Sequence, residues 1–590
     1  MATKILVNHL GFLCNSTKKV IIESDVSLSE FTVQDMALVD SESFDEDENW
    51  QTVYIGKLEK VKERDGEFFV GDFSEITQAG VYSVVIPEIK KRSYQFNISD
   101  GAFHDLPWLF VDFLNKWRGT GEYALKIKST TDDGIRSDNG EYHHVKSGWY
   151  DAGDLRKWMT HSNLPAIGFY DLFEKLKLHR NYFHEQNLFD NDLLTVSEEA
   201  VNCILEMQDP ETGKIFECLG AGGFGRANEN MSWWYENHSG CLADNSDNRF
   251  TDNKINSGDE RTIRTDYNAL IQYTSIYILL RALPHYQKHI PQKANEILAA
   301  VKRIWENSLL ESKTDDFEKR TAIKSWKLMA ANELFKSKII GESELTEIAK
   351  SLLNNYNKNI SFWCMDEKLD DPYRGILHSA QPIIALLKFV ELNISGKFNK
   401  EISAIISDCW ENYIEPLSKT SVFEYMPYGT FFQPATEEDV YTPFQNGLVY
   451  RRFMPDNSKQ KINHGLNGHY SSWAHALAIM SKAFSNSKMS ELAWKQFFWT
   501  LGANNFNASF ISGIGFNNPM PHSRFLGTAV GGYLIGFIGK TDDRAFVDMN
   551  AKAQWNSTEY WVTPIANFCM ALADLLPVQI KPETKLGYRL

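Results

Sequence analysis

The hydrophobic period of the chain changes once, near residue 100, and this limits the fold more than any other feature of the sequence. Before it, ILVNHLGF, KKVIIES, NWQTVYIGKLEKV, EFFVGDF, GVYSVVIPE and RSYQFNI carry β-branched and aromatic residues at short spacing, the pattern of half-buried strands. Turn signals at Asn15-Ser16, Asp65-Gly66 and Ala79-Gly80 separate them. Several short strands in so few residues predict an immunoglobulin-like β-sandwich over 1–100. From Phe103 the apolar residues recur at helical spacing, as in FHDLPWLFVDFLNKW, YNALIQYTSIYILLRAL, SSWAHALAIMSKAF and PIANFCMALADLL. About a dozen such segments predict a mainly α domain over 101–590.

Long loops rich in Gly, Asn and aromatic residues interrupt the helices at 129–147, 209–262, 420–465 and 503–530. Loops of that length in a compact domain usually carry function. The net charge of −16 leaves no basic stripe to neutralise phosphates, which argues against nucleic acid as a partner. No stretch reaches the ~18 consecutive apolar residues of a membrane helix, and the N-terminal segment has no apolar signal core. The seven cysteines are scattered without a CxxC pair, as expected of reduced thiols in a cytoplasmic protein.

Three stretches carry chemistry. SGWYDAGDLRKW (147–158) sets Asp151 and Asp154 three residues apart between Trp149, Tyr150 and Trp158. At that spacing two carboxylates face the same way and can share a water, one taking its proton; alternatively, one of them caps the following helix. ISGIGFNNPMPHSRF places His522 and Arg524 at the end of a Gly/Asn/Pro loop, where they can bind sugar hydroxyls or pair locally. FVDMNAKAQWNSTEYWVTPIANF places Glu559 beside Tyr560 and Trp561. A carboxyl in an apolar setting can stay protonated as a general acid, whereas at the start of a helix it can simply complement the dipole.

Taken together, these stretches resemble glycoside hydrolase family 9, the inverting cellulase family. Its aspartate signature, typically GGWYDAGDYGKY, stands here as SGWYDAGDLRKW, and LGANNFNASFISGIGFNNPMPHSR resembles its segment ending in PHHR. VNHLGFLCNSTKKVII resembles the opening of the immunoglobulin-like domain that many members carry. The resemblance implies an (α/α)6 barrel with Asp154 as general base, Asp151 helping to hold the water, and Glu559 as general acid. His522 and Arg524 would line the subsites; beside them Trp149, Tyr150 and Trp158, which flank the aspartates, and Trp561, which follows Glu559, are candidate substrate-binding walls. Inversion needs the acid and base ~6.5–9.5 Å apart, leaving room for the water.

The chain departs from the family pattern in places. Ser523 replaces the second His of PHHR, and YWVTPIANF follows Glu559 where an Ile-Asn-Trp-Asn type of run is usual. RGTGEYALK has no cysteine and His143-His144 have no thiolate partners, so neither a structural zinc nor any other cofactor is expected. The sequence is similar to the exo-β-D-glucosaminidase branch of the family, which implies short chitosan oligosaccharides as substrate and exo action; the insertion 219–262 can either block one end of the cleft or be a surface excursion whose aromatics pack on the outer helices. Asp138 and Glu141 are the candidate carboxylates for a protonated amino sugar. The rival expectation is an intracellular β-glucosidase, cellodextrinase or endoglucanase on β-1,4-glucans.

Overall fold

The computed structural model describes residues 3–36, 51–64, 66–119, 134–153, 156–178, 188–220, 262–313, 315–455, 463–522, 528–549 and 555–577. Asp154, Arg524 and most of the 219–262 insertion lie outside them.

The N-terminal region is built of β1 (Lys4–Leu6), β2 (Gly11–Phe12), β3 (Lys19–Glu23), β4 (Glu30–Asp35), β5 (Gln51–Glu63), β6 (Gly66–Asp72), β7 (Gly80–Ile86), β8 (Lys91–Arg92) and β9 (Phe96–Ile98). They pair in the order β1-β3-β6-β5-β4-β7-β9-β2, with β8 beside β7. β5 joins two limbs: residues 51–57 pair with β4 and residues 58–63 with β6. Gly56 stands near the changeover, where a Cβ would come within 2.4 Å of the Phe31 ring. Phe12, Phe31, Phe69, Phe73 and Phe96 fill the core shared by the two limbs. The Phe73 ring lies 5.5 Å from Phe12 and 5.6 Å from Phe96, within the range of favourable aromatic packing.

The helices are α1 (Leu106–Lys116), α2 (Pro165–Leu176), α3 (Asp192–Glu206), α4 (Ala269–His289), α5 (Pro291–Glu311), α6 (Thr321–Lys336), α7 (Glu342–Leu353), α8 (Gln381–Glu391), α9 (Gly396–Cys409), the single turn α10 (Glu415–Ser418), α11 (Asn467–Phe484), α12 (Ser487–Thr500), the single turn α13 (Trp555–Thr558) and α14 (Thr563–Leu575). Local sequence fixes many of their starts. The side chains of Asn191, Asn268 and Asn486 accept from backbone N–H groups at the heads of α3, α4 and α12, and proline opens α2, α5, α8 and α14. Both devices suit a helix N-terminus, whose first N–H groups lack intrahelical partners.

α2 packs on α4, α4 on α6, α6 on α8, α8 on α11, α11 on α14, and α14 back on α2. These six helices therefore form a closed cycle. α4, α6, α11 and α14 are buried around most of their circumference, as all-round apolar helices must be. α5, α7 and α9 bury one stripe and face solvent with the rest. α3, α5, α7, α9 and α12 each pack on the cycle from outside, against α2, α4, α6, α8 and α11 respectively.

Enclosure leaves several histidines uncharged. Burial pulls His378 down to about 3, and His464, His469 and His475 to about 4, from an ordinary 6.5. In the unfolded chain each would bind a proton below pH 6.5. Their contribution to stability is therefore whole above that pH and is lost as the pH falls toward 4, roughly 3 kcal/mol per histidine. Glu198, raised by burial to about 7, has the opposite sign: its protonated form is favoured in the fold, and that stabilisation is lost as pH rises through 7. The melting temperature should therefore fall steadily between pH 6.5 and 4. A calorimetric Tm that is flat over that interval would contradict the burial of these rings as neutral species.

Candidate active site

The aspartate stretch is held from outside by α3. Glu199 Oε1 accepts from the Gly148 N–H at 3.0 Å and its other oxygen lies 3.2 Å from Arg118 Nη1. Two turns on, Glu206 accepts from the N–H groups of Lys146 and Ser147 at 2.8 and 2.7 Å and from the Ser147 hydroxyl at 2.9 Å. Lys157, wholly buried, returns its ammonium to the carbonyls of Lys146 and Ser147. Gly148 has φ +104, and a Cβ there would come within 2.4 Å of Cys203 Sγ on α3, so only glycine lets the chain lie this close. Charge-assisted bonds of this kind are stronger than neutral ones, and they fix the backbone immediately before Asp151. The Asp151 N–H donates to the Arg156 carbonyl at 2.9 Å, and its Oδ1 accepts from the Trp158 N–H at 3.1 Å.

Glu559 arrives from the other end of the helical region, between α13 and α14. His522 pairs with it in a parallel bridge, and the His522 N–H donates to the Thr558 carbonyl at 2.9 Å. The Glu559 carbonyl accepts from Ile535 N–H at 2.9 Å, and Tyr560 pairs with Leu534. Trp561 then pairs antiparallel with Ala152, and the Val562 N–H donates to the Asp151 carbonyl at 3.0 Å. The loop carrying His522, the segment carrying Glu559 and the stretch carrying Asp151 are thus neighbours in one backbone ladder. Asp151 is 5% exposed and Glu559 7%, so both residues are buried.

Trp561 projects to the same side of its extended segment as Glu559, two residues away. Its ring lies 4.8 Å from His464 and 5.7 Å from His161. Gly468, in the first turn of α11, leaves room for it: a Cβ there would stand 2.8 Å from the indole and 2.6 Å from the Ile376 carbonyl. Burial, together with the neighbouring His378 and His464, holds His161 well below the usual histidine range. Trp326 Nε1 donates to His378 Nδ1 at 3.2 Å. His161, His378 and His464 precede α2, α8 and α11, so the approaches to these helices and to α14 gather at one end of the cycle. Uncharged imidazoles can exchange hydrogen bonds with hydroxyl groups without adding positive charge beside the carboxylates.

The other candidate residues are placed differently. Trp149 is wholly buried and Tyr150 nearly so; the backbone of Trp149 pairs with Arg118, and the Tyr150 N–H donates to the Trp117 carbonyl. Both rings are buried in the same core cluster as Trp561. Asp138 receives both arms of Arg136 at 3.0 and 2.8 Å, which lowers its pKa below the usual carboxylate value. Glu141 is exposed and accepts from Asn139 at 3.1 Å. Both belong to the turn after β10 (Ile135–Arg136). β10 and β11 (Lys157–Trp158) are the opposite edges of a four-stranded sheet, with β12 (Cys218–Leu219) and β13 (Thr262–Arg264) between them. Three strand spacings, about 14 Å, separate those edges, so the turn stands well away from the strand that follows Asp151.

Sequence reasoning passed over Trp555. Its ring is 37% exposed and lies 6.1 Å from His464, one helical turn before Glu559. An aromatic residue in the turn just ahead of a candidate acid was the available signal. It also passed over the three histidines, which share no spacing.

Among the described residues, one cluster has metal-ligand chemistry: Asp171, His475 and Asp574, on α2, α11 and α14, with ligand atoms within 4.8 Å of one another. Cations already neutralise it. The Lys175 ammonium lies 3.1 Å from Asp171 and 2.7 Å from Asp574, Arg281 is 2.8 Å from Asp171, and Lys482 is 2.9 Å from Asp574. A divalent ion would have to displace these bonds, so the cluster is read as an ion-pair junction of three helices.

Known proteins share this architecture. A glycoside hydrolase structure from Bacteroides ovatus superposes with TM-score 0.65 at 16% identity, covering 97% of this chain and 98% of that one. A thermostable endoglucanase variant from Alicyclobacillus acidocaldarius gives 0.66 at 15% identity, covering 97% and 99%. In sequence, a cellodextrinase of Butyrivibrio fibrisolvens is 31% identical over 169 residues, 27% of this chain and 28% of that protein. Endoglucanase D of Acetivibrio thermocellus is 23% identical over 249 residues, 38% of this chain and 36% of that protein. The chain thus covers about a third of the length of these curated relatives. The model of glycosyl hydrolase family 9 matches residues 113–572. A match over most of the chain, with the enclosed carboxylates inside it, makes this protein a member of glycosyl hydrolase family 9 and a glycoside hydrolase.

Proposed function

We propose that the chain is an inverting, exo-acting hydrolase of short β-1,4-linked oligosaccharides, with glucosamine oligomers of the chitosan type as its preferred substrate. The observation that supports the hydrolytic reading is the pairing of Ala152 with Trp561, which brings the backbone segments carrying Asp151 and Glu559 side by side. In this reading Glu559 protonates the leaving oxygen while Asp154, helped by Asp151, takes a proton from water attacking the opposite face of the sugar. Positive charge developing at the ring is stabilised by the same carboxylates. His522, paired with Glu559, and Arg524 bind hydroxyls. The closed cycle of six helices supports the (α/α)6 reading, and the two limbs joined by β5 support an immunoglobulin-like one.

The similarity of the sequence to the exo-β-D-glucosaminidase branch supports the amino sugar, and the uncharged histidines oppose no ammonium group at C2. A second reading is a cellodextrinase. It is favoured by the name of the Butyrivibrio relative and by the engagement of Asp138 with Arg136.

Hydrolysis of the free-amine, N-acetylated and plain glucose dimers, assayed side by side, separates the two. A preference for the free amine is expected, and a substantial preference for cellobiose would establish the second reading. Glu559→Gln and Asp154→Asn should each lower kcat by about 10²–10⁴-fold without shifting Tm by more than a degree or two. Full activity in either variant would remove that residue from the mechanism. NMR of the first product should show the α-anomer; a β-product would exclude inversion.

A further inference from the structure

The β-region reaches into the site's supporting loop chiefly through His9. His9, between β1 and β2, is 5% exposed and lies against residues 501–516 of the helical region. Its N–H donates to the Leu501 carbonyl at 2.9 Å. The Phe516 N–H donates to its Nδ1 at 3.2 Å, and its Nε2 lies 3.0 Å from Asn507 Oδ1. A backbone donor at Nδ1 leaves the proton on Nε2, which therefore donates to Asn507. Both ring nitrogens are thus committed to one loop, each in a single sense.

The surroundings are shaped to this imidazole. A Cβ on Gly502 would stand 2.4 Å from the His9 ring, and one on Gly515 would stand 2.9 Å from His9 Cβ. Both glycines have positive φ, +125 and +69. Tyr94 stacks on Phe516 with centroids 4.5 Å apart and planes at 7°, and both rings meet the imidazole edge-on at 5.0 and 5.5 Å. Lys4 adds a second tie, donating to the Asn505 carbonyl at 2.7 Å.

The loop is stiff between these ties and the site. Asn518 Nδ2 donates to the carbonyls of Ser509, Ile511 and Ile514 at 2.8, 3.1 and 2.9 Å. The Ser509 N–H donates to the Phe516 carbonyl, and Phe510 and Ser512 bond to the 531–534 segment. That segment continues into Ile535, whose N–H holds the Glu559 carbonyl, and the loop itself ends at His522, which pairs with Glu559.

We propose that His9 is a positioning residue for the hydrolytic site: by fixing Asn507 and Phe516 it sets the loop that presents His522 and braces Glu559. The proposal rests on the hydrolytic reading above for its activity readout alone. A histidine that touches no substrate is then needed for turnover, and the β-region contributes to catalysis through its geometry.

The test uses the full chain with His9→Phe, which keeps a ring but makes neither bond, and His9→Asn, whose amide oxygen can accept from Phe516 as Nδ1 does. Phe should lower kcat at least tenfold while KM changes less than threefold, and Asn should restore part of kcat. Hydrogen exchange should show lost protection at Phe516 in the Phe variant, spreading to Met520, His522 and residues 557–562. Wild-type kcat in a folded His9→Phe protein overturns the proposal, as does loss of protection confined to 502–518. Where the wild type hydrolyses no β-1,4-linked substrate, the functional reading fails, and the spread of exchange alone decides whether His9 sets this loop. Where the Phe variant does not fold, His9→Asn with Asn507→Ala in a double-mutant comparison decides: non-additive losses in kcat support the tie, and independent effects overturn it.

Discussion

The pairing of Ala152 with Trp561 is the contact on which the site depends. Its hydrogen bonds come from the peptide backbone, so it does not rely on a particular side chain at either position. It joins the approach to the first helix of the cycle to the approach to the last. A buried peptide N–H or carbonyl left without a partner costs about 1–3 kcal/mol, so closing the cycle and satisfying these groups are one event. The carboxylates ride on that closure. Asp151 supplies the carbonyl that receives Val562, and Glu559 lies two residues from the bridge.

Around this seam the protein spends charge sparingly. Glu199 and Glu206 use their carboxylates on backbone N–H groups and on Arg118, outside the enclosed wall. The Lys175, Arg281, Asp171 and Asp574 network lies on the helices of the cycle and ties α2, α4 and α14. The histidines nearest Trp561 are neutral by burial. Ionised groups thus serve as rigid supports, while the wall beside Glu559 is aromatic and uncharged.

Much of this was legible in the sequence. The change of period near residue 100 corresponds to β9 ending at Ile98 and α1 starting at Leu106, because strand and helix periods differ too much to be confused over long segments. Asp151 and Glu559 were singled out by motif, and the backbone segments that carry them are neighbours in one ladder. Trp149 and Tyr150 were read as walls because they flank an aspartate, but flanking in sequence does not fix which way a ring turns, and both are buried, as is Trp561. Asp138 and Glu141 were read as near the site because they precede the signature. A small sheet intervenes and carries them to its far edge. His161, His378 and His464 were invisible for the converse reason: three separate helix approaches converge in space with no spacing in the sequence. His9 was likewise unmarked, since nothing in VNHLGF announces a partner in a loop near the other end of the chain.

The order of the six cycle helices along the chain has a consequence for how the molecule comes into being. On a ribosome, the strands and the first five of these helices emerge before the segment that bears Glu559. Until α14 is made, the seam has one lip, and α2 and α11 each lack a neighbour they bury against. The second lip of the seam is therefore gained together with the sealing of the helical interior.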